Sequence, residues 1–110
     1  MSEYHPDKWL MIKLTDKDNK SHYRVFACWY GGYLGSDSWQ LNSGVTRVTK
    51  EGYVYSFHGI SGSVYQCHED TYGTSGYGQG VLMNLIEKSK DIFSIEILDQ
   101  DTNFMELIYE

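Results

Sequence analysis

The sequence predicts an α+β domain, in which a strongly bent antiparallel β-sheet or small open barrel carries one packed helix. Two features of the composition predict the sheet. The 110 residues include ten Tyr, which favour half-buried pleated surfaces, and eleven Gly against one Pro, which suits many tight turns. The third observation is that apolar residues alternate along several short segments and recur at helical spacing in only one. The length fits a single domain, residues 1–110.

The first predicted elements are two strands joined by a turn. Residues 8–14 have the pattern of a first strand, residues 16–20 are polar turn formers, and residues 22–30 resume as a strand. The first strand carries three apolar residues on one face: Leu10, Ile12 and Leu14. The second strand is apolar on both faces, which is typical of a strand covered on two sides. We therefore expect this hairpin to lie centrally.

The middle of the chain predicts an antiparallel meander. Glycine-containing turns separate short extended segments at residues 38–41, 45–49, 53–58 and 63–68. Because consecutive strands are usually neighbours in space, we expect these segments to pair in order.

One helix is predicted over residues 79–90. Four aliphatic residues between Val81 and Ile86 recur at helical spacing, with charged residues on the opposite face. Residues 92–98 then have the β propensity of a strand that closes the sheet. The apolar segment 104–109 fits either a last strand or a short helix. It packs into the chain's own core or forms an edge that a second copy covers in a homodimer.

The lack of a recognisable targeting signal and the positions of the two cysteines predict a cytoplasmic protein. No apolar run approaches the ~18 residues of a membrane helix, so we expect no membrane partner. The first residues lack a secretory pattern. Cys28 and Cys67 lie in apolar, strand-like stretches, and free buried thiols are expected in a chain without an export signal. The sequence leaves open whether the two cysteines are bonded.

The charge is distributed unevenly along the chain. Net charge is −6; residues 1–50 hold seven Lys or Arg and five acids, whereas residues 51–110 hold two Lys and ten acids. Nucleic acid is therefore not expected as a partner, because phosphate binding depends on clustered Lys and Arg. An acidic face suits a basic partner protein or imitates the charge of DNA, and it equally keeps a small protein in solution.

A candidate binding site lies in the window that contains every glycine, from Gly31 to Gly80, together with Trp29 just before it. Small loop residues expose backbone N–H groups to a ligand, aromatic rings supply contact area, and Ser, Asn and Asp fix orientation. The candidate binding residues are Trp29, Tyr33, Asp37, Ser38, Trp39, Asn42, Ser43, His58, Ser61, Ser63 and Tyr65. The small polar members serve equally well as turn formers.

The sequence offers little for catalysis. Cys67 and His68 are adjacent, so in a strand they point to opposite faces and cannot easily act on one atom. CxxC and HxxxH spacings, a P-loop, a dinucleotide fingerprint and a nucleophile elbow are absent. We therefore expect no catalytic residue, metal or cofactor, and favour a non-enzymatic protein. Catalysis through His58 or Cys67 is the weakest alternative.

Two stretches resemble small accessory proteins encoded by tailed bacteriophages: WYGGYLGSDSWQLNSG at 29–44 and HGISGSVYQCH at 58–68. The resemblance covers about half the chain, residues 24–73, and brings no catalytic residues. It implies a protein of the host cytoplasm that disarms host defences or redirects host enzymes. The leading hypothesis is thus a binding protein that inhibits or modulates a bacterial host protein. The alternative is a pocket for a nucleotide-like ligand, stacked on Trp39 or Tyr65.

Overall fold

The computed structural model describes residues 3–31 and 35–109. In this part of the chain, eight strands and one α-helix form three layers: two four-stranded sheets and a helix on the outer face of one of them. The strands are β1 Glu3–Tyr4, β2 Lys8–Thr15, β3 Ser21–Trp29, β4 Ser38–Leu41, β5 Val45–Glu51, β6 Val54–Gly59, β7 Val64–His68 and β8 Ser94–Ile97. The helix is α1, Gly76–Ser89, and a short 3-10 turn spans Glu69–Thr71.

Three of the four predicted meander segments, β5 to β7, pair in order in one sheet. The first segment, β4, pairs instead with β3 of the predicted central hairpin, so the expected pairing of β4 with β5 is wrong. One sheet, which we call the outer sheet because it lies on the side of the central sheet away from α1, has the strand order β1-β7-β6-β5. Its strands β5, β6 and β7 are antiparallel, and β1 is parallel to β7. The central sheet has the order β4-β3-β2-β8 and is antiparallel throughout. The expected α+β fold with bent antiparallel sheets and one packed helix is confirmed, and the sheets do not close into a barrel.

One hydrophobic core fills the space between the two sheets. Because side chains alternate across a strand, one face of β2 and β3 turns toward the outer sheet. The buried residues of this core are Trp9, Met11, Val25, Ala27, Val45, Tyr55, Phe57, Tyr65, Cys67 and Phe104. Most of its volume is aromatic, and these large side chains hold the sheets together by the area that they remove from water.

A second core joins the opposite face of the central sheet to α1. Leu10, Ile12 and Leu14 lie on this face, as the alternation predicts. They pack with residues of β3 and with Leu82 of the helix. The expected central position of β3 is confirmed, since its two faces contribute to the two different cores.

The helix begins three residues before the predicted start at residue 79. Ser75 caps it, because its hydroxyl accepts a hydrogen bond of 2.9 Å from the backbone N–H of Gly78. Gly78 lies so close to the central sheet that a Cβ there would be 2.3 Å from the Cys28 sulfur. A glycine that looks like a helix breaker in the sequence is therefore what lets α1 approach the sheet.

The C-terminal segment 104–109 forms turns, so the expectation of a strand or a short helix is wrong. The Tyr109 hydroxyl donates a 2.7 Å hydrogen bond to the carbonyl of Phe104, which folds the segment back on itself. Phe104 is only 2% exposed and belongs to the core between the sheets. Leu107 and Tyr109 pack against the same core, so side-chain contacts fix this segment without a regular backbone ladder.

The two cysteines are free and buried, as expected. Cys28 packs between the central sheet and the helix, whereas Cys67 packs between the two sheets. The central sheet therefore separates them. Among the described residues, no helix combines the length and the apolar character needed to cross a membrane.

Candidate functional site

Three of the predicted binding residues come together where two turns meet. The turn between β4 and β5 brings Ser43 against the turn between β6 and β7. Its hydroxyl lies 3.1 Å from the Ser61 hydroxyl and accepts a 3.1 Å hydrogen bond from the Ser61 backbone N–H. The Ser63 hydroxyl is 3.0 Å from that of Ser61. The three hydroxyls thus bind one another and tie the turns together.

Two further predicted residues lie near this serine cluster. Asn42 is 2% exposed, and its side-chain oxygen accepts a 2.9 Å hydrogen bond from the Val25 N–H. Its amide nitrogen has no hydrogen-bond partner among the described residues. His58, which is half-buried, pairs with Arg47 of the neighbouring strand. Burial lowers the pKa of His58, and the Arg47 charge lowers it further.

Trp39 lies on the helix side of the central sheet. Its ring stacks on Phe26, with the ring centroids 5.6 Å apart, and 36% of the residue is exposed. Ser38 precedes it at the exposed start of β4. The Asp37 carboxylate accepts a 3.0 Å hydrogen bond from the Gly31 N–H, so it closes the loop that leads into the strand.

Trp29 and Tyr65 lie near the N-terminal strand, apart from the serine cluster and Trp39. Tyr4 stacks on Tyr65 with centroids 4.8 Å apart, and its centroid is 6.2 Å from that of Trp29. Tyr65 is 1% exposed, and burial raises its pKa to about 12. Tyr33 lies outside the described residues. The structure therefore distributes the described members of the predicted site over three places, and the central sheet separates Trp39 from Tyr65.

A different group of residues forms a depression of about 240 Å³ where the outer sheet meets the segment after β8. We call it the acidic depression. Its lining residues are Trp9, Tyr55, Glu69, Asp70, Tyr72, Gln100, Asp101 and Phe104. The 3-10 turn after β7 supplies two of the acids, and the turn after β8 supplies the third. Carboxylates that are far apart in the sequence thus meet on one rim.

The floor of the acidic depression is a packed aromatic cluster. The Trp9 ring centroid is 4.7 Å from that of Tyr72 and 5.2 Å from that of Phe104. The Trp9 indole N–H donates a 2.8 Å hydrogen bond to the His68 carbonyl. Burial raises the pKa of Tyr72 to about 12, so its hydroxyl stays protonated and donates to the Leu98 carbonyl. These contacts hold the floor rigid beneath the rim.

The chain's own Lys50 binds to two lining residues of the acidic depression. Its ammonium nitrogen is 2.9 Å from a Glu69 carboxylate oxygen and 4.8 Å from the centre of the Tyr55 ring. The hydrogen bond with Glu69 raises the pKa of Lys50, which favours the charged form. A carboxylate and an aromatic face together make a favourable site for an alkylammonium or guanidinium group.

The thiols lack the environment of a nucleophile. Burial raises the pKa of both Cys28 and Cys67, so each stays a neutral thiol. His68 follows Cys67 on the other side of β7, and its Nδ1 accepts a 3.1 Å hydrogen bond from the Asp70 N–H. Within residues 3–31 and 35–109, His, Cys, Asp and Glu side chains form no group of three or more that could hold a metal ion.

No protein-family model, curated protein or solved structure matches this chain. Sequence reasoning singled out the acidic C-terminal part of the chain but missed the aromatic floor and Lys50. The excess of acidic residues in the second half of the chain was the only sequence feature that pointed to this depression. Pairing patterns within strands do not reveal that the turn at Glu69 and the turn at Asp101 lie on the same rim.

Proposed function

We propose that this chain is a non-enzymatic binding protein that holds a positively charged segment of a partner protein in the acidic depression. The observation that carries the proposal is the position of Lys50, whose ammonium group lies 2.9 Å from Glu69 and over the Tyr55 ring. A Lys or Arg side chain of a partner that displaces Lys50 makes the same two interactions.

Two carboxylates of the rim are available to a partner. The Asp70 side chain is 78% exposed, and its one ion-pair contact among the described residues is with His68 Nδ1, at 3.8 Å. Asp101 is exposed and forms no ion pair with any residue in the described part of the chain. The net charge of −6 adds a long-range attraction that steers a basic partner toward the protein.

The resemblance to phage accessory proteins suggests the kind of partner. We propose a bacterial host protein whose basic surface normally binds nucleic acid, with this chain acting as an inhibitor or modulator that occupies that surface. Basic patches are the common feature of such proteins, and a carboxylate rim competes with phosphate for them. The acidic rim disfavours the alternative of a nucleotide-like ligand here, because it repels phosphate.

The test compares peptide binding by two charge-matched variants. A fluorescein-labelled peptide of alternating Lys and Gly is titrated with protein and followed by fluorescence anisotropy, with a Glu–Gly peptide as the negative control. We expect Asp70→Asn combined with Asp101→Asn to weaken Lys-peptide binding about tenfold, because two partly exposed ion pairs contribute roughly 0.7 kcal/mol each.

The matched control for that variant is Asp18→Asn combined with Glu87→Gln. Both acids are exposed and lie outside the acidic depression, and the two double variants have the same net charge. We expect the control to bind the Lys peptide within about twofold of the unmodified protein. Equal weakening in both variants would mean that only the overall charge matters, and the proposed site would be wrong.

A substitution of Lys50 gives a second test, in which peptide binding is expected to become tighter rather than weaker. Lys50→Met removes the internal competitor and frees Glu69, so we expect the Lys peptide to bind about threefold more tightly. Lys20→Met is the control, since Lys20 is exposed in the turn between β2 and β3 and its loss changes the net charge equally. The same gain in both variants would argue against a cation site at Glu69.

A further inference from the structure

A second cavity lies on the opposite side of the central sheet, beneath α1. Its volume is about 140 Å³. Its lining residues are Ile12, Leu14, Arg24, Leu41, Leu85, Ser89, Phe93 and Ile95. We call it the helix–sheet cavity. Apolar side chains make up most of the wall, and Arg24 is the one charged residue among them.

The strand register explains why these side chains converge. Ile12 is paired with Arg24 across β2 and β3, and paired residues lie on the same face of a sheet. In the same way, Leu14 pairs with Ile95 of β8. The helix adds Leu85 and Ser89, which are four residues apart and therefore on one helix face. The cavity is thus built by regular elements rather than by loops.

Arg24 is held in place without a carboxylate partner. It is half-buried, and its Nε donates a 3.0 Å hydrogen bond to the His22 Nε2. Burial lowers the pKa of His22 and the Arg24 charge lowers it further, so the imidazole is a neutral acceptor that orients the guanidinium. In the part of the chain that the structure describes, no acidic side chain forms an ion pair with Arg24.

A guanidinium has five N–H donors and matches a carboxylate in a bidentate geometry. One donor is used by His22, which leaves the outer nitrogens for an anion. The Ser89 hydroxyl hydrogen is not available to a ligand, because it is donated to the Leu85 carbonyl in a 2.6 Å hydrogen bond. The polar part of the wall is therefore a cation that can bind a small anion.

We propose that the helix–sheet cavity binds a small apolar monocarboxylate, with the carboxylate on Arg24 and the hydrocarbon part against the aliphatic wall. An apolar cavity of about 150 Å³ holds one benzene molecule, so a ligand with about six carbons fits and a nucleotide does not. This site lies across the central sheet from the acidic depression, and the inference does not depend on the proposed function.

Hexanoate and its neutral analogue 1-hexanol test the charge requirement. Each is titrated into the methyl-labelled full-length protein, and ¹H–¹³C spectra locate the binding site and give the affinity. We expect saturable hexanoate shifts at the methyl groups of Leu41, Leu85 and Ile95, and binding of 1-hexanol at least tenfold weaker. Shifts confined to other methyl groups, or no saturable shift in the folded protein, would overturn the proposal.

Two Arg variants separate a specific ion pair from general charge. Arg24→Gln removes the guanidinium from the cavity, whereas Arg47→Gln removes the exposed guanidinium of β5. We expect hexanoate affinity to fall at least tenfold in Arg24→Gln and to be unchanged in Arg47→Gln. Equal affinities in the two variants would contradict the assignment of Arg24.

A cavity-filling variant keeps the test valid if Arg24→Gln unfolds. Ser89→Leu puts an aliphatic side chain into the cavity at the last turn of the helix, where leucine has the better helix propensity. We expect this variant to stay folded and to lose hexanoate binding. Unchanged binding in folded Ser89→Leu would place the ligand elsewhere and overturn the proposal.

Discussion

The three tryptophans occupy three different environments. Trp9 is fully buried under the acidic depression, with its indole N–H bonded to the His68 carbonyl. Trp29 is half-buried and donates to the His5 carbonyl, and Trp39 is 36% exposed against Phe26 on the helix side. The three indole N–H groups therefore lie near three different parts of the protein surface, and a change in the signal of one of them identifies the part that is affected.

Residue-scale reasoning from the sequence named Trp29 and Trp39 as binding residues and did not name Trp9. Trp29 and Trp39 were named because they lie beside segments rich in Gly and Ser, where an aromatic ring can supply contact area for a ligand. Trp9 begins the apolar run of the first strand, and such a run indicates a core position without showing what lies above it. The acid rim over Trp9 is assembled by turns far away in the chain.

Trp39→Ala tests how this residue contributes. We expect a loss of about 2 kcal/mol in the free energy of unfolding, since a partly exposed ring gives up its contact with Phe26 and part of its buried area. Urea denaturation measures the loss. Binding of the Lys peptide should be unchanged, because Trp39 lies on the far side of the central sheet. Loss of that binding with full stability would relocate the site.

At the scale of elements, local sequence patterns predicted most of the fold. The first hairpin, the short strand at β4 and the meander all appear near the expected residues, because alternation and turn chemistry act over a few neighbours. The helix start was missed since its first turns contain three glycines. Only contact with Cys28 explains Gly78, and that contact is tertiary.

Gly78→Ala tests the close approach of the helix. A Cβ at this position would lie 2.3 Å from the Cys28 sulfur, so we expect destabilisation by about 3 kcal/mol. Gly80→Ala is the matched control in the same helix, because a Cβ there meets nothing within 4 Å. It should stabilise the protein by about 0.5–1 kcal/mol through helix propensity. Thermal unfolding of both variants measures the contrast, and destabilisation of similar size would contradict the packing account.

At the scale of the whole molecule, the decisive feature is the stacking of two sheets with a helix behind one of them. The sequence predicted one bent sheet or open barrel, because alternation shows that a strand has two faces but not which faces pack together. That stacking places Glu69 and Asp101 on the rim of the same depression, the acidic depression. It also places the helix–sheet cavity on the opposite side, so the two proposed sites are independent.

The most direct test of the acidic depression is a ¹H–¹⁵N spectrum of the three indole N–H groups during titration with the Lys–Gly peptide. The account predicts a saturable shift of the Trp9 resonance, whose ring lines the depression, with the Trp29 and Trp39 resonances unmoved. A shift of Trp29 or Trp39 while Trp9 stays in place would contradict the account and move the binding surface to the loops around β4.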